Sequence, residues 1–238
     1  MLCAGLLLGA VPVKAGGSQE TGPATRGIAK LGWDLVRAAG DGNVVVSPLS
    51  VWEALAMTQA GARGTTASEI AAVLGMPDDA ASIALAAESL RTGLAAAKGE
   101  RITLDVANRL WVQRGKPIEA PFAALLADRF GAAAGALDFA GATEAAREEI
   151  NRWVAAHTAD RIDELLKPGV LTPLSRVVLT NAVYMKAPWR TPFDPSATRP
   201  APFSLSPEES IEVPFMNRSA RMTAGKVEGA SVVEIPYA

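Results

Sequence analysis

LTNAVYMKAPWRTPFDP, from Leu179 to Pro195, opens inside a run of β-branched and apolar residues that begins at Arg176 and reads as a strand. After it the chain keeps that character: PFSL, IEVPFM, RMTA and SVVEIPY are short strand-like runs separated by Pro, Gly and Ser. Before it the chain is mostly helical by periodicity. Helices first and strands later argue an α+β fold.

From Thr25 to Ala39, Ile28, Leu31, Leu35 and Val36 recur three or four apart and line one face of a helix that Gly40-Asp41-Gly42 ends. Asn43 to Val46 is a short β-branched run and reads as a strand. Ser47-Pro48 then starts a helix over Leu49 to Ala60, the hydroxyl accepting from an orphan N–H and the proline sitting where no donor is lost. Gly61 breaks that helix. Thr66-Ala67-Ser68-Glu69 has the spacing of a capping box, with Ile70, Val73 and Leu74 as the apolar face behind it. Asp79 to Lys98 is a fourth helix, Ile102 to Gln113 a strand with Leu104, Val106 and Leu110 on one side, and Pro121 to Phe130 and Thr143 to Ala156 are helical again. No fixed repeat and no polar linker divides these elements, so a single domain is expected over 24–238.

A chain of 238 residues, 49% hydrophobic and 20% charged, can bury a sizeable core. With 23 basic and 25 acidic residues the net charge of -2 gives no excess positive field, so nucleic acid is not an expected partner. One cysteine, Cys3, rules out an intrachain disulfide framework and a cysteine-based metal cluster. Residues 1–23 begin with an apolar run, Leu2 to Val13, followed by the small-x-small Val13-Lys14-Ala15, but without a positive n-region. Two readings stay open: a truncated or mis-started export signal, and a loose N-terminus of no consequence. The run is too short to span a bilayer, which takes about 20 residues.

Catalytic patterns are absent. HExxH, CxxC, GxGxxG, GxxxxGK[ST] and GxSxG do not occur, and no serine is followed three residues later by lysine. His157 is the one histidine and sits near a helix end, where its charge suits the C-terminal dipole. Glu148-Glu149 and Glu208-Glu209 are neighbours in sequence and do not face a common cleft. Arg147, Arg152 and Arg161 are interspersed with acids and form no polyanion groove. Trp33, Trp52, Trp111, Trp153 and Trp189 lie in separate apolar elements, where core packing is their expected role. No cofactor and no metal is expected.

Three ordered blocks resemble the serpin family. Asn43, Ser47, Pro48 and Ser50 have the N-x-x-x-SP-x-S pattern, followed by a helix and then Ala60, Gly61, Ala62, Gly64 and Thr65. INRWVAAHTADRIDELL, Ile150 to Leu166, is similar to the family's helix F and the stretch leading into sheet A. LTNAVYMKAPWRTPF is similar to L-x-N-A-x-Y-x-K-x-x-W-x-x-PF, while IEVPFMNRSARM and SVVEIPYA resemble the hairpin strands of sheet B. The similarity covers roughly Ile28 to Ala238.

The resemblance implies a serpin-like fold with helices packed on sheets A and B, and a monomer that inhibits a serine or cysteine protease as a suicide substrate. It places Ser47, Pro48, Ser50 and Asn181 in the shutter beneath sheet A, and Lys186 and Trp189 in the breach. It also implies that the reactive loop and the last strands lie beyond VVEIPYA, so the fold is incomplete here, the reactive-site bond is absent, and this polypeptide alone is not expected to inhibit or to be stable. A non-inhibitory binding or chaperone role is the alternative; hinge composition would separate the two. Secretion or a periplasmic location is expected, with the cytoplasm left open.

Overall fold

The computed structural model describes residues 22–40, 42–227 and 230–238. The export segment read at 1–23 lies, except for Gly22 and Pro23, outside the described residues. Two compact units emerge within the described residues, one from 22–98 and 104–184, the other from 99–103 and 185–238.

The first unit is organised around one helix. α1 (Pro23–Ala39), α2 (Pro48–Gly61), α3 (Gly64–Leu74), α4 (Ala80–Ala96) and α5 (Ala120–Phe130) follow in order, and α1, α3, α4 and α5 all pack on α2. The reason lies in α2 itself: Leu49, Trp52, Ala56, Met57 and Ala60 recur at helical spacing and are buried. Small residues let its neighbours approach. At Gly27 on α1 an added Cβ would stand 2.0 Å from the carbonyl oxygen of Leu74, the same oxygen that accepts the 3.2 Å hydrogen bond from Trp52 Nε1.

Helix caps follow sequence rules in two places and depart from them in one. Ser47 caps α2 and Asp79 caps α4, each side chain accepting from the backbone N–H three residues on. The expected capping box at Thr66–Glu69 does not form. α3 starts at Gly64, with Arg63 at its N-cap, so Thr66 is already inside the helix and its neighbour Ser68 bonds Asp78 instead. The apolar face of α3 is correspondingly turned: Ala71 and Leu74 are buried, Ile70 packs partly against the core, and Val73 is exposed.

A three-stranded sheet, ordered β2-β1-β3, lies in this unit: β1 (Thr103–Gln113), β2 (Ala133–Leu137), and β3 (Val177–Lys186) up to Tyr184. β1 and β2 are parallel, with Arg109 opposite Ala133 and Gln113 opposite Leu137. Alternation sends Leu110 and Val112 into the α2-centred cluster and Trp111 into a second one. That second cluster joins Trp111 and Phe139 to Ala146, Ile150 and Val154 of α6 (Thr143–His157). Asn43 to Val46 is not a strand. No strand of the described residues pairs with it, and Val45 is 86% exposed.

The second unit contains two antiparallel pairs. β4 (Arg199–Ser204) pairs with β5 (Ser210–Phe215), and β6 (Ala224–Val227) with β7 (Ala230–Val233). A short 3-10 turn, Pro195–Ala197, precedes β4 and is capped by Asp194. RMTA enters a strand only at Ala224, its last residue. Among the described residues no helix is long and apolar enough to cross a membrane.

Candidate functional site

Ser47, Pro48 and Ser50 form the first turn of α2. Ser47 Oγ accepts from the Ser50 backbone N–H at 3.4 Å and lies 2.8 Å from Ser50 Oγ, so the two hydroxyls satisfy one another at the helix start. Pro48 packs towards α1: an added Cβ on Gly32 would meet Pro48 Cγ at 2.7 Å. The three residues are held together locally, as their sequence spacing suggests. They do not hydrogen-bond to Asn181.

Asn181 belongs to a different constellation, one turn further along α2. Its Nδ2 donates to Glu53 Oε2 at 2.8 Å and to Asn108 Oδ1 at 2.8 Å. Asn108 Nδ2 donates to the same Glu53 oxygen at 2.8 Å and to the carbonyl of Phe130 at 3.0 Å. One carboxyl on α2 therefore ties β1 to β3 and, through Asn108, to the end of α5. Glu53 is 2% exposed and Asn108 8%. Burial pushes the Glu53 carboxyl above the usual carboxylate range, while the hydrogen bonds from Asn108 and Asn181 pull it back in part. Asn181 Oδ1, by contrast, is buried with no donor.

Trp111 and Thr180 add a second tie across the same strands, Trp111 Nε1 donating to Thr180 Oγ1 at 3.0 Å. On the far side of α6, Asn151 receives the Leu166 N–H and donates to the Leu166 carbonyl, and Arg147 reaches that carbonyl at 2.7 Å and Glu164 at 3.1 Å. The INRWVAAH helix thus clamps the irregular segment after it.

Lys186 and Trp189 lie in the second unit. Lys186 ends β3 and is exposed. Trp189 stacks on Tyr237, ring centroids 4.8 Å apart and planes 6° from parallel, and meets Phe193 edge-on at 6.4 Å. An isolated antiparallel bridge joins Trp189 to Tyr237, flanked by Arg190 N–H to Pro236 O and Ala238 N–H to Pro188 O, both at 2.9 Å. Arg218 covers the Phe193 ring and donates to the Thr191 carbonyl. This packed aromatic corner holds the WRTPF stretch against the end of SVVEIPYA.

Among the described residues the one histidine joins no catalytic constellation. His157 Nδ1 lies 2.7 Å from the Trp153 carbonyl and its ring lies against Trp153, a structural helix-end contact. No group of three or more His, Cys, Asp or Glu that could hold a metal occurs among the described residues. An open cleft of about 400 Å³ between β1, β2 and α6 is lined by Arg109, Asp138, Glu149 and Arg152, but Glu149 already pairs with Arg152 at 2.5 Å and Asp138 receives the Gly141 N–H. Of the five tryptophans, Trp52 and Trp111 are core residues as expected, whereas Trp33 is 52% exposed on α1.

Glu53 and Asn108 are the residues that periodicity alone passes over. Each sits where its element's apolar face predicts a hydrophobic side chain: Glu53 next to Trp52 and three residues before Ala56, Asn108 between Val106 and Leu110 on the inner side of β1. A lone polar residue on an otherwise apolar face is the signal that would have found both.

Comparison with known proteins places these features in context. The family described as Serpin (serine protease inhibitor) has a model that matches residues 28–238. A protein named Ipis-1 from Ixodes persulcatus is 37% identical over 198 residues, which are 82% of this chain and 52% of that protein. The leukocyte elastase inhibitor of Equus caballus is 35% identical over 210 residues, 86% of this chain and 55% of the relative. A solved structure, "Cleaved Serpin 42Da", is 31% identical with a TM-score of 0.80, covering 89% of this chain and 57% of that one. The chain thus spans about half the length of the relatives it matches.

Proposed function

This chain belongs to the serpin family, and we propose that the whole protein inhibits a serine-class endopeptidase as a suicide substrate, by inserting its cleaved reactive loop into sheet A. Serpins are protease inhibitors and not enzymes, and at least one relative carries an inhibitor's name. In this reading β2-β1-β3 belongs to the sheet that receives the loop, and insertion pairs the loop's backbone groups in a new strand. The observation that carries it is the polar tie beneath β1 and β3: Glu53, Asn108 and Asn181 occupy a place where interlocked apolar side chains would resist any sliding of the strands. Amides and a carboxyl can exchange partners.

The roles of Ser47, Pro48, Ser50 and Asn181 as a shutter, and of Lys186 and Trp189 as a breach, belong to the same proposal. The local support is that the two serines fix the start of α2, from which Glu53 reaches Asn181, and that Trp189 anchors the chain after β3. Export to the cell exterior or periplasm is proposed with it, since secreted proteases are accessible targets there. The experiment is incubation of the full-length protein with elastase-like, trypsin-like and subtilisin-like enzymes. A 1:1 adduct that survives boiling in detergent, together with slow tight loss of protease activity, is expected for at least one of them; cleavage by all three with full activity retained overturns the proposal.

A further inference from the structure

We propose that Glu53 carries a proton in the folded protein and that its O–H group pairs with Oδ1 of Asn181, closing a reciprocal acid–amide ring between α2 and β3. The inference deepens the function proposed above, because it assigns a positioning residue to the sheet that is proposed to open.

The amide orientations come first. Asn181 Nδ2 faces two acceptors, Glu53 Oε2 and Asn108 Oδ1, and Asn108 Nδ2 faces Glu53 Oε2 and the Phe130 carbonyl. Flipping either amide would set oxygen against oxygen, so both are fixed. Both donors fall on Oε2 of Glu53. With its amide fixed, Asn181 Oδ1 is buried and accepts no hydrogen bond from any donor of the described residues. A carboxylate beside it has no hydrogen to offer, whereas a carboxylic acid has one.

Charge leads to the same assignment. Glu53 is 2% exposed, and no Lys, Arg or His nitrogen lies within ion-pair distance of it among the described residues. The packed elements do carry titratable groups: Arg26, Lys30, Asp34 and Arg37 on α1, Glu69 on α3, Glu88 and Arg91 on α4, Asp128 and Arg129 on α5, Asp105 and Arg109 on β1, and Tyr184 on β3. None of them forms an ion pair with Glu53; burial pushes its carboxyl up and the hydrogen bonds from Asn108 and Asn181 pull it back in part. Arg129 is engaged by Glu88. An ionised Glu53 would be a buried charge with two neutral donors, which the protonated form avoids.

The proton also bears on strand movement. When β3 shifts relative to α2 the Glu53–Asn181 contact breaks. A neutral acid then loses a partner it can replace, while a buried carboxylate would be stranded with one donor. Glu53 protonation therefore keeps the core free of a stranded charge when β3 moves.

The test is the unfolding equilibrium of the full-length protein from about pH 4 to about pH 9, for the wild type and for Glu53→Gln, whose amide N–H replaces the acid O–H. A glutamate that keeps its proton in the folded state and loses it in the unfolded state makes the wild-type folding constant fall up to tenfold per pH unit relative to Glu53→Gln, until Glu53 ionises. Parallel profiles, or a wild type that gains on Glu53→Gln as pH rises, overturn the proposal. Should Glu53→Gln fail to fold, infrared spectra of the wild type at neutral pH decide: a carboxylic C=O band that disappears on unfolding is expected, and its absence overturns the proposal. Neither readout involves a protease, so failure of inhibition and failure of this proposal are separate results.

Discussion

Asn181 on β3 donates a 2.8 Å hydrogen bond to Glu53 on α2 across 128 residues of sequence, and the same Glu53 oxygen accepts from Asn108 on β1. Three elements that meet in the core are thus joined at a single atom. Removing one donor leaves the carboxyl short of a partner in a site with little water. Asn181→Ala and Asn108→Ala are each expected to destabilise the full-length protein by about 1–3 kcal/mol, measured by urea unfolding. Because both act on one carboxyl, the double variant should cost less than the sum of the singles. Strict additivity would show that the three side chains do not form one network.

Close approach of α1 to α3 rests on Gly27. A Cβ there would lie 2.0 Å from the Leu74 carbonyl, which is backbone and cannot swing aside. Gly27→Ala should lower stability by about 1–3 kcal/mol. Gly93, inside α4 with open space around it, is the control, and Gly93→Ala should raise stability by about 0.5–1 kcal/mol. Equal effects of the two changes would contradict the packing described for α1.

Trp189 stacks face to face on Tyr237. Trp189→Leu keeps much of the apolar volume but removes the ring, and should cost about 0.5–1.5 kcal/mol in the second unit. Loss of near-ultraviolet circular dichroism from this corner, with the far-ultraviolet signal of the helices retained, is the expected signature. A loss of helix signal instead would place Trp189 in the stability of the first unit.

Acid sensitivity has an identifiable contributor in Asp138. The Gly141 N–H, followed by the Gln113 side chain, holds its carboxyl below the usual range. A carboxyl depressed in the folded state contributes stability above its unfolded pKa of about 3.9, and that contribution is lost as pH falls through the lower folded value. Asp138→Asn should therefore flatten the acid limb of the stability profile below about pH 4 and leave the alkaline side unchanged. An unaltered acid limb would contradict this assignment.

Much of the helical unit was legible in sequence because its signals are local. Ser47-Pro48 starts α2, Asp79 starts α4, and the spacing of Leu49, Trp52, Ala56 and Met57 gives a face that is in fact buried. β2 was not legible: Ala133-Ala134-Gly135-Ala136-Leu137 lacks the β-branched residues that mark strands, and only its parallel pairing with β1 makes it one. The reverse holds for Asn43 to Val46, whose β-branched run finds no partner strand among the described residues. Capping at Thr66 lost to a start two residues earlier at Gly64, with Arg63 in extended conformation at the N-cap. At the candidate site, Ser47, Ser50 and Asn181 stood out by resemblance, but Glu53 and Asn108 did not. Their significance is a tertiary property, visible only once two polar residues on apolar faces meet in one place.

The proposed function requires that sheet A of the full-length protein open and accept its own loop, releasing stored strain. Thermal unfolding before and after a single cut in the reactive loop reads this out. A marked rise of the midpoint on cleavage is expected, as the inserted loop completes the sheet around β1 and β3; an unchanged or lower midpoint in the cleaved protein would rule out loop insertion.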